Sequence, residues 1–311
     1  MKNKYLEEVN ELKSTIPEWV EGTFFNDHVD DGKKQEKKKT TTKKRKISEE
    51  GREEEVKLMK VMTREQNWIR LEVLGQPLVD KYAWAIPDER SLGILAHFSP
   101  LIEIGAGKGY WASLLLNRGV DILAFDKIGG GEGGQNDDSN WTEVKKGGPK
   151  LLAKPKYAGR NLFLCYPDEG SSMSIKCLEH FTGDYIVHVG ELMNMGGTIS
   201  GAPQAPFGRT TSAEFTVALA ETFHCLLKAS IPRLPFSNDC ITVWKRTQWV
   251  EGRSSVNDDD EEEEVEEEEG GGGGGGEGSE QDKNYWADIP ASERMPTDQA
   301  APCLDHLLSV S

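Results

Sequence analysis

From Leu101 to Ala112 the chain reads Leu-Ile-Glu-Ile-Gly-Ala-Gly-Lys-Gly-Tyr-Trp-Ala. An apolar run that contains one acid is followed by three glycines at alternate positions. This pattern predicts a strand that ends, turns sharply and leads into a helix. Glycine serves where the backbone takes a positive φ or must lie against a ligand with no Cβ in the way. The first amides of the helix and its positive dipole end would then face that ligand.

A second acid follows at a distance that suits a βαβ unit. Asp126 comes seventeen residues after Gly109 and ends the apolar run 122–125. An acid at the end of the second strand of such a unit accepts hydrogen bonds from ribose hydroxyls. The glycine turn and Asp126 together predict a nucleoside-binding site.

The spacing of the glycines narrows the choice of nucleoside. The dinucleotide fingerprint is G-x-G-x-x-G or G-x-G-x-x-A, but the residue three positions after Gly107 is the bulky Tyr110. The pattern is instead an acid followed by G-x-G-x-G. In this it resembles the first motif of the class I S-adenosylmethionine-dependent methyltransferases, and Asp126 matches their ribose-binding acid. The alternative is a glycine-rich turn in some other α/β protein.

The order of predicted elements agrees with the fold that this resemblance implies. Strands alternate with helices, and two strands then follow one another as a hairpin, which favours a doubly wound sheet. We therefore expect an α/β fold over 63–250, with a Rossmann-like, mostly parallel seven-stranded sheet and a C-terminal antiparallel hairpin. The predicted strands start near 101 and span 120–125, 142–145, 161–166, 185–189, 226–231 and 241–244; the predicted helices span 63–75, 87–97, 110–118, 173–181 and 213–223.

The resemblance also implies where S-adenosylmethionine, the expected cofactor, would bind. The three glycines would lie at its methionine end, Glu103 would orient the turn or the cofactor ammonium, and Asp126 would hold the ribose. Trp84 precedes the first strand, where related enzymes place a lid, although it is also a candidate core residue. No metal is required for this chemistry. The expected cofactor-binding residues are Glu103, Gly105, Gly107, Gly109, Asp126, Cys165 and Trp84, with 145–147 near the adenine.

Candidate catalytic residues follow the fourth and fifth strands. Cys165, Tyr166 and Asp168 occupy the place where members of the family that methylate amino groups often carry an Asn/Asp-Pro-Pro-aromatic motif. The match is to the location and not to the motif, so an amino-group acceptor does not follow. Tyr166 and Asp168 are candidates for substrate contact, and Glu191 is a candidate general base. Packing for Tyr166 and capping for the two acids are the alternatives.

Charge is distributed unevenly along the chain. The 311 residues are 36% hydrophobic and carry a net charge of −16. Residues 33–46 hold eight Lys and one Arg, whereas 257–280 hold thirteen acids and no base. The rest of the chain is still acidic, so a general polyanion-binding surface is not expected. The two tracts are candidate partner-binding segments, and the basic runs resemble a nuclear-import signal.

Composition also predicts the domain organisation. Residues 1–62 would form an arm with a short helix over 3–14 and a disordered segment over 30–55. The methyltransferase-like domain would occupy 63–250, and 251–282 would be a disordered acidic and Gly-rich insertion. Residues 283–311 would dock back on the domain, with a loose tail as the alternative.

Cysteine use and hydropathy indicate the compartment. The five cysteines form no C-x-x-C pair, which favours small buried side chains over disulfides or a zinc site. No secretory signal or membrane-length apolar run is visible, so we expect a cytoplasmic protein, with a nuclear one as the alternative.

The predicted function is methyl transfer by in-line displacement to an acceptor that the sequence leaves open as protein, RNA or small molecule. One alternative is a non-catalytic methyltransferase-like interaction module, which the intact glycines and Asp126 disfavour. The other is a nicotinamide-dependent oxidoreductase, which Tyr110 disfavours.

Overall fold

The fold is built on one seven-stranded sheet. The computed structural model describes residues 3–17, 19–20, 49–128, 140–192, 210–251, 285–295 and 300–309. The strands of the sheet are β1 (Leu101–Ile104), β2 (Ile122–Asp126), β3 (Lys145–Lys146), β4 (Asn161–Cys165), β5 (Tyr185–Gly190), β6 (Phe223–Ser230) and β7 (Cys240–Arg246). Their order is β3-β2-β1-β4-β5-β7-β6. Only β7 runs antiparallel to its neighbours β5 and β6, so the predicted α/β, Rossmann-like sheet with its hairpin is confirmed.

The described ranges contain seven α-helices, four of which pack on the two faces of this sheet. They are α1 (Lys4–Lys13), α2 (Glu49–Val61), α3 (Arg64–Lys81), α4 (Glu89–His97), α5 (Tyr110–Leu116), α6 (Met173–His180) and α7 (Ala213–Thr222). No helix in the described ranges has the length and apolar character needed to cross a membrane.

The central strands are buried on both faces, as in other parallel sheets. Successive side chains of a strand point to opposite faces, and Leu101 and Ile102 accordingly join two different apolar clusters. Glu103 shares the face of Leu101 and is the one acid on β1. Burial of the strand therefore draws a carboxyl group into the protein interior.

The helix predicted to end at Gly75 continues to Lys81, and that part of the prediction is wrong. The capping box of Thr63 and Gln66 is present as expected. Gly75 lies inside the helix, and the ring of Phe236 packs directly on it. A side chain at this position would not fit, since its Cβ would lie 2.4 Å from Phe236 Cε1. The glycine thus permits close tertiary packing and does not end the helix.

The third strand differs from its prediction as well. It comprises only Lys145 and Lys146, not 142–145. Thr142 and Val144 pack against Gly109 at the start of α5, so tertiary contact with the turn takes these residues out of the sheet. The hairpin strands β6 and β7 are longer than predicted because they pair along most of their length.

Part of the segment expected to be disordered is helical. Residues 49–55 belong to α2, which packs on α3 through buried Met59. Asn67 donates a hydrogen bond to the carbonyl of Met59 at 3.0 Å, and Arg70 forms a two-pronged ion pair with Glu55. These contacts stabilise a polar helix that composition alone does not favour. Residues 30–48, including the basic tract, lie outside the described ranges.

The C-terminal residues contact the main core. Strand β8 (Gln248–Glu251) pairs antiparallel with β9 (Tyr285–Asp288). The amide of Ala301 then donates to the carbonyl of Leu226 at 2.7 Å, and Leu304 and Leu307 are buried in the core. Residues 252–284, with the acidic tract, lie outside the described ranges.

Candidate functional site

The turn between β1 and α5 has the backbone geometry that its glycines allow. Gly105, Gly107 and Gly109 have φ values of +84°, +55° and +75°, which side-chain-bearing residues rarely adopt. The amides of Gly105 and Ala106 both donate to the carbonyl of Phe125, at 2.8 and 3.0 Å. The turn is therefore anchored to the end of β2.

The glycines play different parts in this turn. A Cβ on Gly109 would lie 2.8 Å from Val144 Cγ2 and 2.9 Å from Thr142 Cγ2, whereas a Cβ on Gly107 would meet no described atom within 4 Å. Gly109 is thus required for packing. Gly107 leaves open space above the backbone, as a ligand cradle does.

Asp126 ends β2 beside this turn. Its Oδ2 accepts a hydrogen bond from the Gly107 amide at 3.0 Å, and its Oδ1 accepts one from the Ile128 amide at 3.1 Å. Each oxygen keeps a second lone pair for a hydroxyl donor. Asp126 is not among the described residues that line the cleft next to the turn, so its ribose-binding role remains a prediction.

A cleft of about 340 Å³ lies over the turn. We call it the first lobe; it is lined by Gly105, Gly107 and Glu103 below and by aromatic rings that include Tyr82, Trp84 and Tyr110. Glu103 is 2% exposed, and its Oε2 accepts no hydrogen bond from any described residue. Burial, reinforced by the charge of Asp126, raises the pKa of Glu103 to about 8. A buried carboxyl oxygen without a hydrogen bond costs free energy unless a bound ligand supplies the missing donor.

The N-terminal helix covers one side of the first lobe. Tyr5 is fully buried, stacks on Tyr82 with ring centroids 4.6 Å apart, and donates its hydroxyl to the carbonyl of Ala83 at 2.6 Å. Asn3 accepts a hydrogen bond from the Tyr110 hydroxyl at 3.1 Å and donates one to the carbonyl of Pro87. Tyr5 and Asn3 do not line the lobe themselves; they hold lining residues such as Tyr82 and Tyr110 in place.

A second lobe of about 540 Å³ adjoins the first, and both are lined by Trp84 and Tyr166. These two rings stack with centroids 5.5 Å apart and planes 13° from parallel. Tyr166 has a φ of +55°, and its amide donates to the carbonyl of Val189 at 2.8 Å. The other lining residues are Trp68, Glu72, Asp168, Glu169, Glu191, Thr210 and Phe236.

The three candidate catalytic residues all line this second lobe, and each also makes contacts within the protein. The carboxylate of Glu191 accepts a hydrogen bond from the Asn238 amide. Asp168 is exposed, and its Oδ1 accepts one from the Gly170 amide at 3.0 Å. The helix that follows, α6, has Ser172 at its N-cap position and no side-chain cap, so Asp168 does not cap it. The catalytic roles of Tyr166, Asp168 and Glu191 stay predictions.

Two nearby groups are held neutral by burial. Burial raises the pKa of the Cys165 thiol well above its usual value, with Glu103 adding to the effect. The thiol is therefore a poor nucleophile, because the thiolate is the reactive form. Burial lowers the pKa of His188 to about 3, and its Nε2 lies 2.9 Å from Thr211 Oγ1. His188 is a hydrogen-bonded sheet residue, not a proton carrier at neutral pH.

Sequence reasoning missed several residues of the site. Asp239 lies directly before β7 and is 3% exposed; burial and the charge of Glu191 raise its pKa. An acid next to an apolar strand is a signal that would have indicated it. Tyr5 lies four residues before buried Val9, so the helical period was available there too. Trp68 and Phe236 are 168 residues apart along the chain and contact each other in the folded structure. No local sequence pattern indicates this pair.

Comparison with known proteins gives likenesses of fold alone. No protein-family model and no curated protein matches the chain. An O-methyltransferase from Bacillus cereus, solved in complex with SAH, has a TM-score of 0.37 and 13% identity, covering 62% of this chain and 96% of that one. The O-methyltransferase TomG from Streptomyces achromogenes, solved with SAM, gives 0.35 and 15%, covering 64% and 99%. The glycopeptide N-methyltransferase MtfA gives 0.31 and 13%, covering 59% and 98%.

At these identities and TM-scores, the structural similarities give no information about the activity of this protein. The sheet order and the glycine turn after β1 are the informative features. The chain has a Rossmann-like α/β fold. This fold places ligands at the carboxyl ends of the parallel strands. The first lobe is lined by residues that follow β1 and β4, and the second by residues that follow β4 and β5.

Proposed function

We propose that this protein is an S-adenosylmethionine-dependent methyltransferase. The observation that carries the proposal is the buried carboxyl of Glu103, which lines the first lobe beside the glycine turn with one oxygen unpaired. An ammonium group would supply both the hydrogen bond and the charge that this oxygen lacks. The amino-acid end of the cofactor carries such a group.

Residues in and beside the first lobe fit the other parts of the cofactor. Gly107 leaves the backbone open for close approach, and Asp126, which follows β2 beside the lobe, keeps lone pairs for ribose hydroxyls. S-Adenosylmethionine supplies a methyl group on a sulfonium; the acceptor gains that methyl and loses a proton, and S-adenosylhomocysteine remains. Because the cofactor brings the reactive group, the protein need only position the reactants and exclude water.

The Trp84–Tyr166 pair suits this positioning role. It lies where the two lobes meet, so a cofactor in the first lobe and an acceptor in the second would approach each other beside these rings. Tyr5 and Asn3 hold the opposite wall in place through their contacts with Ala83 and Tyr110. The second lobe would select the methyl acceptor.

The test is calorimetric titration of the full chain with S-adenosylmethionine and S-adenosylhomocysteine, with NADH as the control ligand. We expect micromolar binding of both sulfur ligands and none of NADH. Glu103→Gln should weaken binding about tenfold, since a charged hydrogen bond contributes about 1.5–3 kcal/mol. Glu221→Gln on α7, which lines neither lobe, is the matched control and should bind as the wild type does.

Each other outcome points to a different function. Failure of both sulfur ligands to bind the wild-type protein would overturn the enzyme proposal and favour an interaction module. Binding of NADH alone would favour an oxidoreductase. Equal binding by the Glu103 and Glu221 variants would remove Glu103 from the cofactor site.

A further inference from the structure

We propose that the second lobe binds the methyl acceptor through an alkylammonium group, as carried by a peptide lysine or a polyamine. This inference rests on the proposed function and names the acceptor class for the same site. It is carried by the charge, the aromatic walls and the position of the lobe.

The second lobe is lined by acidic side chains. Four carboxyl groups line the lobe, from Glu72, Asp168, Glu169 and Glu191, and none of the described lining residues is Lys or Arg. Arg233 is a nearby basic residue that does not line the lobe; it donates to Asn238 Oδ1 at 3.2 Å, and its charge acts on Asp239. Carboxylates that line a partly enclosed cleft concentrate cations there and repel phosphates.

The walls between these carboxyls are aromatic. Trp68, Trp84, Tyr166 and Phe236 all line the lobe, and Trp84 keeps 38% of its surface exposed. Aromatic faces attract organic cations and also cover an alkyl stem. A hydrated metal ion would instead call for a shell of oxygen ligands. The combination of acids and rings therefore favours an ammonium on a hydrocarbon chain.

The lobe is held in shape by contacts between distant segments. Trp68 Nε1 donates to the carbonyl of Phe236 at 3.0 Å, and the Phe236 ring packs on Gly75. The Asn238 amide donates a hydrogen bond to the carboxylate of Glu191, and the Ser237 hydroxyl donates one to Oδ2 of the buried Asp239 at 2.7 Å. These hydrogen bonds therefore fix the shape of the acidic side of the lobe.

The second lobe lies next to the first, where the methyl donor of the proposed reaction would bind. It shares Trp84 and Tyr166 with the first lobe, where the proposed cofactor would lie. An acceptor nitrogen that enters through the second lobe would reach the junction beside these rings. The amine must lose its proton before it can attack, and a lining carboxylate can accept that proton.

The test is calorimetric titration of the full chain, saturated with S-adenosylhomocysteine, with three probes. These are a capped Gly/Ser peptide with one central Lys, the same peptide with acetyl-lysine, and spermidine. We expect the lysine peptide or spermidine to bind and the acetylated peptide not to bind. The double variant Glu72→Gln/Glu169→Gln should raise the Kd about tenfold, because each removes charge from the lobe.

Matched controls separate the lobe from general charge. Glu179→Gln/Glu221→Gln makes the same change in net charge on α6 and α7, outside both lobes, and should alter the Kd less than about twofold. Trp84→Leu should weaken binding about fivefold, whereas Trp249→Leu, whose ring is exposed on β8, should have no effect.

Equal binding of the lysine and acetyl-lysine peptides, equal losses in the two double variants, or binding of a short RNA in place of every amine would overturn the inference. The S-adenosylhomocysteine titration is read separately. If the cofactor product binds and no amine does, the acceptor class is wrong and the proposed function stands. If the product fails to bind, the proposed function fails and the lobe is not an acceptor site.

Discussion

The amide of Gly107 donates a hydrogen bond to Oδ2 of Asp126 across 3.0 Å. The two halves of the sequence motif, the glycine turn and the acid after β2, therefore touch directly. Asp126 also accepts from the Ile128 amide through its other oxygen. The acid thus joins two loops at the cofactor side of the sheet, in addition to any contact it makes with a ribose.

Asp126→Asn should destabilise the protein although it changes few atoms. Both carboxylate oxygens accept backbone amides, so an amide side chain must turn its NH₂ group towards one of those donors. We expect the free energy of unfolding to fall by about 1–2 kcal/mol, measured by urea denaturation. Asp168→Asn is the control, because its one amide hydrogen bond can be kept by Asn Oδ1. A wild-type unfolding curve for Asp126→Asn would contradict the prediction.

Alanine at Gly109 should mainly reduce stability, whereas alanine at Gly107 should mainly reduce cofactor binding. Gly109→Ala places a Cβ within 2.9 Å of Val144 and Thr142 and should cost about 2–4 kcal/mol of stability. Gly107→Ala meets no described atom and should cost about 1 kcal/mol, yet its methyl group enters the first lobe and should weaken cofactor binding more than tenfold. Thermal unfolding and calorimetry on both variants check this. Equal stabilities would show that the packing around Gly109 relaxes freely.

Glu103 should make stability depend on pH. Its pKa is raised from 4.5 in the unfolded chain to about 8 in the fold, so the folded state binds the proton more tightly. Its contribution is fully present below about pH 4.5 and is lost as the pH rises towards 8. Relative to Glu103→Gln, which stays neutral, the wild type should lose roughly 2–4 kcal/mol over this range. Parallel stability–pH curves for the two proteins would contradict the shift.

Cofactor binding should release a proton near neutral pH. Glu103 is protonated in the free protein at pH values below about 8, and an ammonium placed beside it favours the charged carboxylate. We expect close to one proton released per S-adenosylmethionine at about pH 7, measured by calorimetry in buffers of different ionisation enthalpy. Glu103→Gln should abolish this release. Identical heats in all buffers would place the ammonium elsewhere.

Tyr5→Phe should loosen the N-terminal wall. The substitution keeps the stack on Tyr82 but removes the hydroxyl that donates to the half-buried carbonyl of Ala83 at 2.6 Å. We expect a loss of about 1–2 kcal/mol in urea unfolding. Tyr157→Phe is the control, because the Tyr157 hydroxyl has no hydrogen-bond partner among the described residues. Similar curves for both variants would mean that water replaces the lost donor.

The local part of the site could be predicted from the sequence. Glu103, the glycines and Asp126 lie within one βαβ unit, and spacing along the chain translates directly into position because each strand and helix has a fixed rise per residue. The alternation of elements likewise indicated the sheet. Errors arose where tertiary packing overrode local signals, as at Gly75, which accommodates Phe236, and at 142–144, which packs on Gly109.

The sequence by itself determined the sheet, the glycine turn and the acid beside it, because these depend on local backbone preferences and on the period of apolar residues. Only the tertiary structure decided that Tyr5 supports the wall of the first lobe and that Trp84 stacks on Tyr166. It also decided that carboxyls from α3 and from the loops after β4 and β5 meet in one lobe. These contacts join segments far apart in the chain, where burial and charge depend on the whole packed interior and not on any run of neighbouring residues.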